Sequence, residues 1–452
     1  MRTAPSALRT ALAAVAMIFL LPHEVGAEAA LVLPEIQTWK LDNGMQVAFM
    51  KVDTAPVVAV EVWYHVGSKD ERRDRRGSAH MFEHMMFKGT KRVRPEAHAR
   101  HLNSVGGRVD AATTEDATWY VNVVPRDYLD FVCQLEAERM RNLLFRENMI
   151  TTVREIVREE LRQQENNPLG KGLLRFLEIA YTKHPYAWTA VGTSKDLDAT
   201  KAADLQSFYN TYYVPNNAML VVVGNVEKAQ VESAATTWFG KIAKGATPPR
   251  PADAVAEPEQ ASQRRQEVEP GPVGIVFAGF HIPGAKHEDM YALQIASLLL
   301  GVGESSRLHQ RLVVKDRSAL QIAAPLLVRE HPGILAILGA YLDPAAGAKV
   351  EAALLDEVQK LGTRAVTNKE LSKAKNQLKT SFVRSLAGVA GIAQQIGDSW
   401  ISTGDPSYWL RTLEKYEAVS PADIQRVVTT YLTKARSTVV VIPPKGADNA
   451  KP

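Results

Sequence analysis

The second half of this 452-residue chain partly repeats the end of its first half, and this repeat constrains the fold most. The triplet Asp204-Leu205-Gln206, then Tyr212 and an apolar run at 220–222, returns 219 residues later as Asp423-Ile424-Gln425, Tyr431 and an apolar run at 439–441. In both places the pattern favours a helix that runs into an apolar strand. The chain is also long for one hydrophobic core and sufficient for two. The sequence therefore predicts two domains of the same architecture.

A proline-rich segment lies between the two repeats. Residues 244–271 hold five prolines separated mainly by Ala, Glu and Gln, a composition typical of a linker. We therefore predict an N-terminal domain over 28–243 and a C-terminal domain over 272–445. The last residues, 446–452, are predicted to be a disordered tail.

Strand and helix signals alternate in the N-terminal half without long parallel crossovers. A hairpin is predicted over 38–50, turning at Asp42-Asn43-Gly44. The other predicted elements are strands at 57–66, 117–124 and 219–223 and helices around 79–87, 93–104, 126–142 and 146–165. The fold class is therefore α+β, with each domain a mostly antiparallel sheet backed by helices.

The first 27 residues have the pattern of a secretory signal peptide. Arg2 and Arg9 precede the apolar run 11–21, and small residues ending at Ala27 suggest cleavage there. The run is too short to span a bilayer, and no later stretch reaches about twenty apolar residues. We expect an exported mature chain without an integral membrane segment, the alternative being that the leader remains as an uncleaved anchor.

Charge and cysteine content argue against nucleic-acid binding and against a fold stabilised by disulfide bonds. A net charge of +4 is too small to indicate nucleic-acid binding, and the common RNA- and DNA-binding motifs are absent. The single cysteine, Cys133, cannot form an internal disulfide, so the fold must depend on its hydrophobic cores.

The five residues from His80 to His84 can form half of a hydrolytic metal site. On a helix, His80, Glu83 and His84 share one face. Two imidazoles one turn apart can bind one Zn²⁺, and a nearby carboxylate can take a proton from the metal's water. This H-x-x-E-H order is the inverzincin signature. A chance arrangement of satisfied surface or core histidines is the alternative interpretation.

A catalytic zinc ion needs a third protein ligand and one open position. The segment 150–164 is predicted to be an amphipathic helix with three glutamates near its middle. Its apolar arc consists of Ile150, Val153, Ile156, Val157 and Leu161. Glu160 falls within that arc, whereas Glu155 and Glu159 fall on the polar side. Since a carboxylate on a buried face needs a partner, we predict Glu160 as the third ligand of one zinc ion per chain.

The stretch from Gly77 to Thr90 resembles the active-site segment of the pitrilysin, insulysin and mitochondrial processing peptidase family. That family carries its third zinc ligand on a later helix, in a stretch similar to 154–161, and the matched residue is again Glu160. Val153 stands where family members often have a further glutamate. Weaker matches are Gly106-Gly107 to Tyr120, His184-Pro185-Tyr186 and Val191-Gly192-Thr193.

The resemblance, which covers nearly the whole mature chain, implies a zinc metalloendopeptidase in which two domains form half of a clam-like chamber. Glu83 would be the general base on a zinc-bound water, and the domain without H-x-x-E-H would be non-catalytic. Asp110 and Ala111 resemble the start of the edge strand that binds an extended peptide substrate, although the family usually has Asn at 110. Together with the signal peptide, the resemblance points to the bacterial periplasm, or to secretion.

A partner chain is also implied by the resemblance. The second half of family members commonly supplies an Arg and a Tyr, seven residues apart, that hold the substrate. The matching residues here are Val313 and Leu320. We therefore expect a homologous non-catalytic partner to supply this clamp. The alternatives to this function are a non-catalytic assembly subunit and a zinc hydrolase acting on non-peptide substrates.

Overall fold

Residues 34–446 are described by the computed structural model, and they form two six-stranded sheets covered by helices. The predicted signal peptide and residues 447–452 of the predicted tail lie outside these residues. Among the helices of the described part, none combines the length and the apolar character that crossing a bilayer requires.

The first sheet belongs to the N-terminal half and has the strand order β1-β2-β6-β3-β5-β4. Its strands are Gln37–Lys40 (β1), Gln46–Lys51 (β2), Val57–Tyr64 (β3), Arg108–Thr113 (β4), Thr118–Pro125 (β5) and Ala218–Gly224 (β6). Among these six strands, β2 and β6 pair in parallel and the other neighbours pair antiparallel. The central strands β3 and β6 are almost entirely buried because helices cover both faces of the sheet, which accounts for their continuous apolar sequences. One edge of the sheet is β4.

The helices of this half include every one predicted above, with bounds that differ by a few residues. They are Ser78–Met85 (α1), Ala97–Ser104 (α2), Leu129–Arg141 (α3), Glu147–Asn166 (α4), Pro168–Ala180 (α5), Ser194–Ala199 (α6), Ala202–Tyr212 (α7) and Lys228–Ala234 (α8). The last of these continues as the π-helical turn Ala235–Phe239.

The second sheet belongs to the C-terminal half and has the order β10-β11-β8-β12-β7, with β9 also paired to β11. Its strands are Arg264–Glu267 (β7), Gly274–Ile282 (β8), Gln321–Ala323 (β9), Leu326–Leu327 (β10), Gly333–Tyr341 (β11) and Ser437–Ile442 (β12). The helices of this half are Asp289–Gly301 (α9), Gly347–Thr363 (α10), Asn368–Ser385 (α11), Val389–Thr403 (α12), Thr412–Ala418 (α13) and Pro421–Tyr431 (α14).

The two sheets share one topology, which confirms the predicted repeat. In the first, β2 pairs in parallel with β6, followed by antiparallel β3 and β5; in the second, β7, β12, β8 and β11 have the same relations. The helix and strand that end each half, α7 with β6 and α14 with β12, are the elements detected in the sequence. The predicted linker is shorter than expected, because its residues Arg264–Glu267 are the strand β7.

Each sheet is also covered by a helix from the other half. Helix α5 packs on β8 and β12, where Phe176 stacks on Phe277 with ring centroids 6.3 Å apart. Helix α12 packs on β3 and β6, and Gly397 lies against the indole of Trp63. A Cβ atom at residue 397 would lie only 2.0 Å from Trp63 Cε2. This exchange of helices joins the two halves through their cores.

The contact between β3 and α12 contains a buried carboxyl group. Glu61 is fully buried in β3, and Trp63 Nε1 donates a 2.8 Å hydrogen bond to its Oε2. Burial raises the pKa of the Glu61 carboxyl to about 8, the hydrogen bond from Trp63 opposes this rise, and the charge of Asp398 on α12 adds to it. Glu61 is therefore protonated in the folded chain over a range where an exposed glutamate is ionised.

We expect Glu61→Gln to stabilise the chain increasingly as the pH rises. Between its ordinary pKa of 4.5 and about 8, Glu61 ionises in the unfolded chain but stays protonated in the folded one, so rising pH favours unfolding. Glutamine removes this effect, and each pKa unit corresponds to about 1.4 kcal/mol. Urea unfolding across this range should show that the free energy of unfolding of Glu61→Gln exceeds that of the natural chain by on the order of a few kcal/mol at the alkaline end. The exposed Glu35→Gln is the control, and a gain that does not change with pH would contradict the prediction.

Candidate metal centre

Helix α1 has one side packed in the core and an opposite side that carries the two histidines. Met81, Phe82 and Met85 are fully buried in the core of the N-terminal half. His80 and His84 lie on the opposite side, one turn apart, and both are only partly buried. The apolar residues therefore fix the rotation of the helix, and that rotation points the histidines toward α4, against which α1 packs.

The start of α1 is held by a buried carboxyl group that the sequence did not reveal. Glu71 accepts hydrogen bonds from the backbone N–H groups of Gly77 (2.9 Å) and Ala79 (2.8 Å). Gly77 is the N-cap residue with φ of 89°, a conformation that favours glycine. Ser78 is of a residue type that commonly caps a helix, but here it is the first helical residue and its hydroxyl donates to Arg75 O (2.6 Å).

We expect Glu71→Ala to lower both the stability of the chain and its affinity for zinc. Removing the side chain leaves two buried N–H groups without acceptors, a loss of about 2 kcal/mol. It also loosens the helix that carries both histidines. Glu71→Gln can keep one of the two bonds and should have an intermediate effect. Urea unfolding and zinc titration measure the two losses, with the exposed Glu232→Ala as control; unchanged zinc affinity in Glu71→Ala would contradict this role.

Helix α4 brings one of the three glutamates near its middle to the histidines. Val153, Val157 and Leu161 are buried and anchor the helix on the core. The side chain of Glu160 retains 40% of its exposure and faces α1. Glu159 forms an exposed ion pair with Arg162 (3.2 Å), and Glu155 is likewise exposed and paired with an arginine. Only Glu160 of the three therefore reaches the two imidazoles.

The three side chains meet with the spacing of a tetrahedral metal site. His80 Nε2 and His84 Nε2 are 3.3 Å apart, and Glu160 Oε2 lies 3.3 Å from the first and 3.5 Å from the second. A tetrahedron with metal–ligand bonds of about 2.1 Å has edges of about 3.4 Å. Among the described residues, this is the one cluster of His, Cys, Asp or Glu that meets the geometric requirement for holding an ion. Two imidazoles and one carboxylate are a donor set that suits zinc.

The protonation of the site favours a metal. Burial, and then the charge of His84, lower the pKa of His80 to about 4, so its imidazole is neutral at ordinary pH, as a ligand must be. The pKa of Glu83 is raised, chiefly by burial, while a hydrogen bond from Thr113 acts in the opposite direction. A carboxylate with a raised pKa is a better proton acceptor at neutral pH.

Thr113, the last residue of β4, connects the predicted base to the edge strand. Its Oγ1 donates a 2.7 Å hydrogen bond to Glu83 Oε2. The turn that follows β4 is in turn held from the C-terminal half, because Arg329 pairs with Glu115 and Glu330 N donates to Asp116 Oδ2 (3.1 Å). The second half thus helps to fix the strand beside the metal centre.

The two predicted substrate-binding residues lie in β4 at the edge of the sheet. Asp110 is exposed and forms an ion pair with Arg108 (2.8 Å). Its Oδ1 also accepts a hydrogen bond from the backbone N–H of Ala111 (3.0 Å). An added peptide strand would compete with this side chain for that N–H group.

The side chains at the expected clamp positions, Val313 and Leu320, have no hydrogen-bonding group. Val313 packs partly against the core of the C-terminal half, and Leu320 is 55% exposed. Arg307 is a nearby arginine that could take the place of the clamp arginine, but it donates two hydrogen bonds to Glu370 (2.8 and 3.1 Å). Arg317 is exposed and forms no ion pair within residues 34–446.

Comparison with known proteins extends the similarity over nearly the whole chain. The family model "Insulinase (Peptidase family M16)" matches residues 46–194, and "Peptidase M16 inactive domain" matches 200–378. The zinc protease PqqE of Helicobacter pylori is 31% identical over 420 residues, 91% of this chain and 94% of that protein. The crystal structure of a protease from Helicobacter pylori aligns with a TM-score of 0.87 at 29% identity, covering 91% of this chain and 100% of that one.

The periplasmic protease PqqL from Escherichia coli has the same fold over about half its length. The TM-score is 0.75 at 17% identity, covering 92% of this chain but 48% of that chain. This likeness shows a shared two-sheet fold, whereas the family model and the zinc protease PqqE support a peptidase role.

Proposed function

Because the chain belongs to the M16 peptidase family, the family of insulinase, we propose that it is a zinc-dependent metalloendopeptidase acting on peptides or unfolded protein segments. The observation that carries the proposal is the triangle of His80, His84 and Glu160, with edges of 3.3–3.5 Å, beside the carboxyl group of Glu83. Glu83 is not part of the triangle and so remains available for proton transfer.

The three ligands would hold one zinc ion, which supplies Lewis acidity and lowers the pKa of a coordinated water. Glu83 takes the proton of the attacking water and later passes it to the leaving amine of the peptide. Oε2 of Glu83 accepts the hydrogen bond from Thr113, so Oε1 is the oxygen free to receive the proton. Thr113 therefore orients the base, and burial raises its proton affinity.

The substrate would bind as an added strand along β4. This strand is the edge of the first sheet and ends at Thr113, directly beside Glu83. Strand addition uses main-chain hydrogen bonds and tolerates many side chains. Asp110 and Ala111 would pair with the peptide, with Asp110 withdrawing from the N–H group of its neighbour.

A peptidase assay with and without a chelator tests the proposal. We expect the purified chain, with its partner if one is required, to cleave an unfolded protein. A chelator should abolish cleavage and added zinc should restore it. An assembly subunit would bind zinc and stay inactive with every partner, and a hydrolase of another class would leave peptides intact while cleaving other substrates. Either result would refute the proposal.

We further propose that a homologous non-catalytic chain supplies the Arg and Tyr that hold the substrate. Val313 and Leu320 are apolar, and a symmetric homodimer would repeat the same deficiency at both sites. The chain also spans about half of the periplasmic protease PqqL, which supports a partner as the other half of a chamber. Cleavage that appears only with a co-purified homologue is expected; full activity as a monomer or homodimer would refute the partner.

The leader sequence supports a periplasmic or secreted location.

A further inference from the structure

The N-terminal half contains a large groove whose walls carry none of the predicted metal ligands. The groove lies between α2, α3 and the segment that follows α8, and its volume is about 1080 Å³. This exceeds the range of about 300–1000 Å³ that is usual for pockets that bind small molecules. The groove is therefore suited to a ligand larger than a typical cofactor.

The walls of the groove are strongly cationic. Its basic side chains are Arg92, Arg94, Arg100, Arg141 and Lys241. Within residues 34–446, none of the five forms an ion pair with a carboxylate. The guanidinium group of Arg100 donates to the carbonyl of Pro95 (3.1 Å), and that of Arg141 lies 5.7 Å from the ring centroid of Tyr209.

The acidic groups near the groove are few and already engaged. Among the described residues that line the groove, Glu138 is the one carboxylate. It is buried and accepts hydrogen bonds from Thr90 Oγ1 (2.9 Å) and Asn142 Nδ2 (2.8 Å). Asp130, beside the groove, accepts from the indole N–H of Trp238 (2.8 Å). Positive charge therefore exceeds negative charge along the groove, which favours an anionic ligand.

Apolar side chains lie between these cations. Phe131, Leu135, Trp238 and Ile242 all line the groove, and the edge of the His101 ring meets the ring of Phe131 at 6.2 Å. Burial of aromatic side chains contributes much of the binding energy at interfaces. The complementary ligand therefore carries apolar groups as well as several negative charges.

We propose that this groove binds an acidic peptide segment, whose carboxylates meet the arginines and whose apolar side chains cover Phe131 and Trp238. A phosphate site concentrates its donors on one point, whereas these cations come from separate segments: the loop before α2, α2 itself, the end of α3 and the segment after α8. Several separated charges along one ligand match that distribution. A membrane surface would need cations on a protruding face, and these line a concavity.

The test is binding of a fluorescently labelled peptide in which Glu alternates with Leu and Phe. The full chain is used in a Glu83→Gln background so that the peptide is not hydrolysed. We expect binding that weakens with added salt. The double variant Arg94→Glu/Arg141→Glu should weaken binding by at least about tenfold, because each substitution places a like charge opposite the ligand. Arg364→Glu, an exposed arginine outside the groove, is the matched control.

Two kinds of result would contradict the proposal. No binding of the peptide, or equal weakening by Arg364→Glu, would show that the groove is not its site. Competition by inorganic triphosphate, or by vesicles containing an anionic lipid, at lower concentration than the unlabelled peptide would assign the groove to phosphate groups. If the double variant has a lowered melting temperature, Arg92→Glu/Lys241→Glu replaces it, since neither residue has a side-chain partner among residues 34–446.

Discussion

Glu83→Gln is expected to abolish peptide hydrolysis while zinc content stays at the level of the natural chain. The amide keeps the shape of the side chain and can still accept the hydrogen bond from Thr113. It cannot take a proton, and general-base catalysis contributes about 10²–10⁴-fold in rate. The separation of metal content from activity is the diagnostic result, because Glu83 is beside the metal triangle and not part of it.

The measurement pairs metal analysis with initial rates of peptide cleavage, on the chain with its partner if one is needed. Glu155→Gln is a suitable control, since this residue is on α4 and exposed. Substantial turnover in Glu83→Gln would remove Glu83 as the base. Loss of zinc together with activity would instead show that Glu83 supports the metal.

The orientation of a helix is the feature that the sequence indicates most directly, because it depends on a local period. The wheel of α4 separated Glu160 from Glu155 and Glu159, because the buried residues Val153 and Val157 define the side of the helix that faces the protein. The repeat of helix and strand was detectable because one short pattern occurs twice, 219 residues apart. It recurs at a constant spacing, and both copies have the same buried pattern.

Contacts between residues that are distant in sequence gave no such signal. Glu71 caps α1 from six and eight residues upstream, outside any local capping pattern, whereas Ser78, the nearby residue of a capping type, lies inside the helix. Thr113 reaches Glu83 across thirty residues, through a sheet whose pairing the sequence does not specify. The strand β7 was hidden in the proline-rich segment because its partner, β12, lies at the other end of the C-terminal half.

The exchange of α5 and α12 between the halves was equally inaccessible. Both helices are amphipathic, but amphipathicity says only that one face is buried and not which sheet buries it. Close packing decides which sheet buries the helix: Gly397 on α12 lies against the indole of Trp63, and only a glycine allows so close an approach. The linker composition predicted a boundary between sheets, and the packing joins the cores across it.

Glu160→Gln is expected to lose zinc affinity, whereas Glu159→Gln keeps it. Glu160 Oε2 lies 3.3 and 3.5 Å from the two imidazole nitrogens, so the amide would replace an anionic ligand with a neutral one. Removing a residue that only hydrogen-bonds to a metal ligand lowers metal affinity by about 10–100-fold. We expect a larger loss of zinc affinity here, because Glu160 is itself a proposed ligand. Glu159 loses only an exposed ion pair with Arg162, worth about 0–1 kcal/mol.

The two variants are matched in chemistry, helix and sequence neighbourhood, so any general effect of glutamine on α4 is common to both. Zinc titration with a competing chelator measures the affinities, and circular dichroism checks that the helix persists. Equal retention of zinc in both variants would show that the third ligand lies elsewhere. Loss in both would implicate the stability of α4. Loss in Glu160→Gln alone is the result that the triangle of His80, His84 and Glu160 requires, because two imidazoles leave a zinc ion short of its third protein ligand.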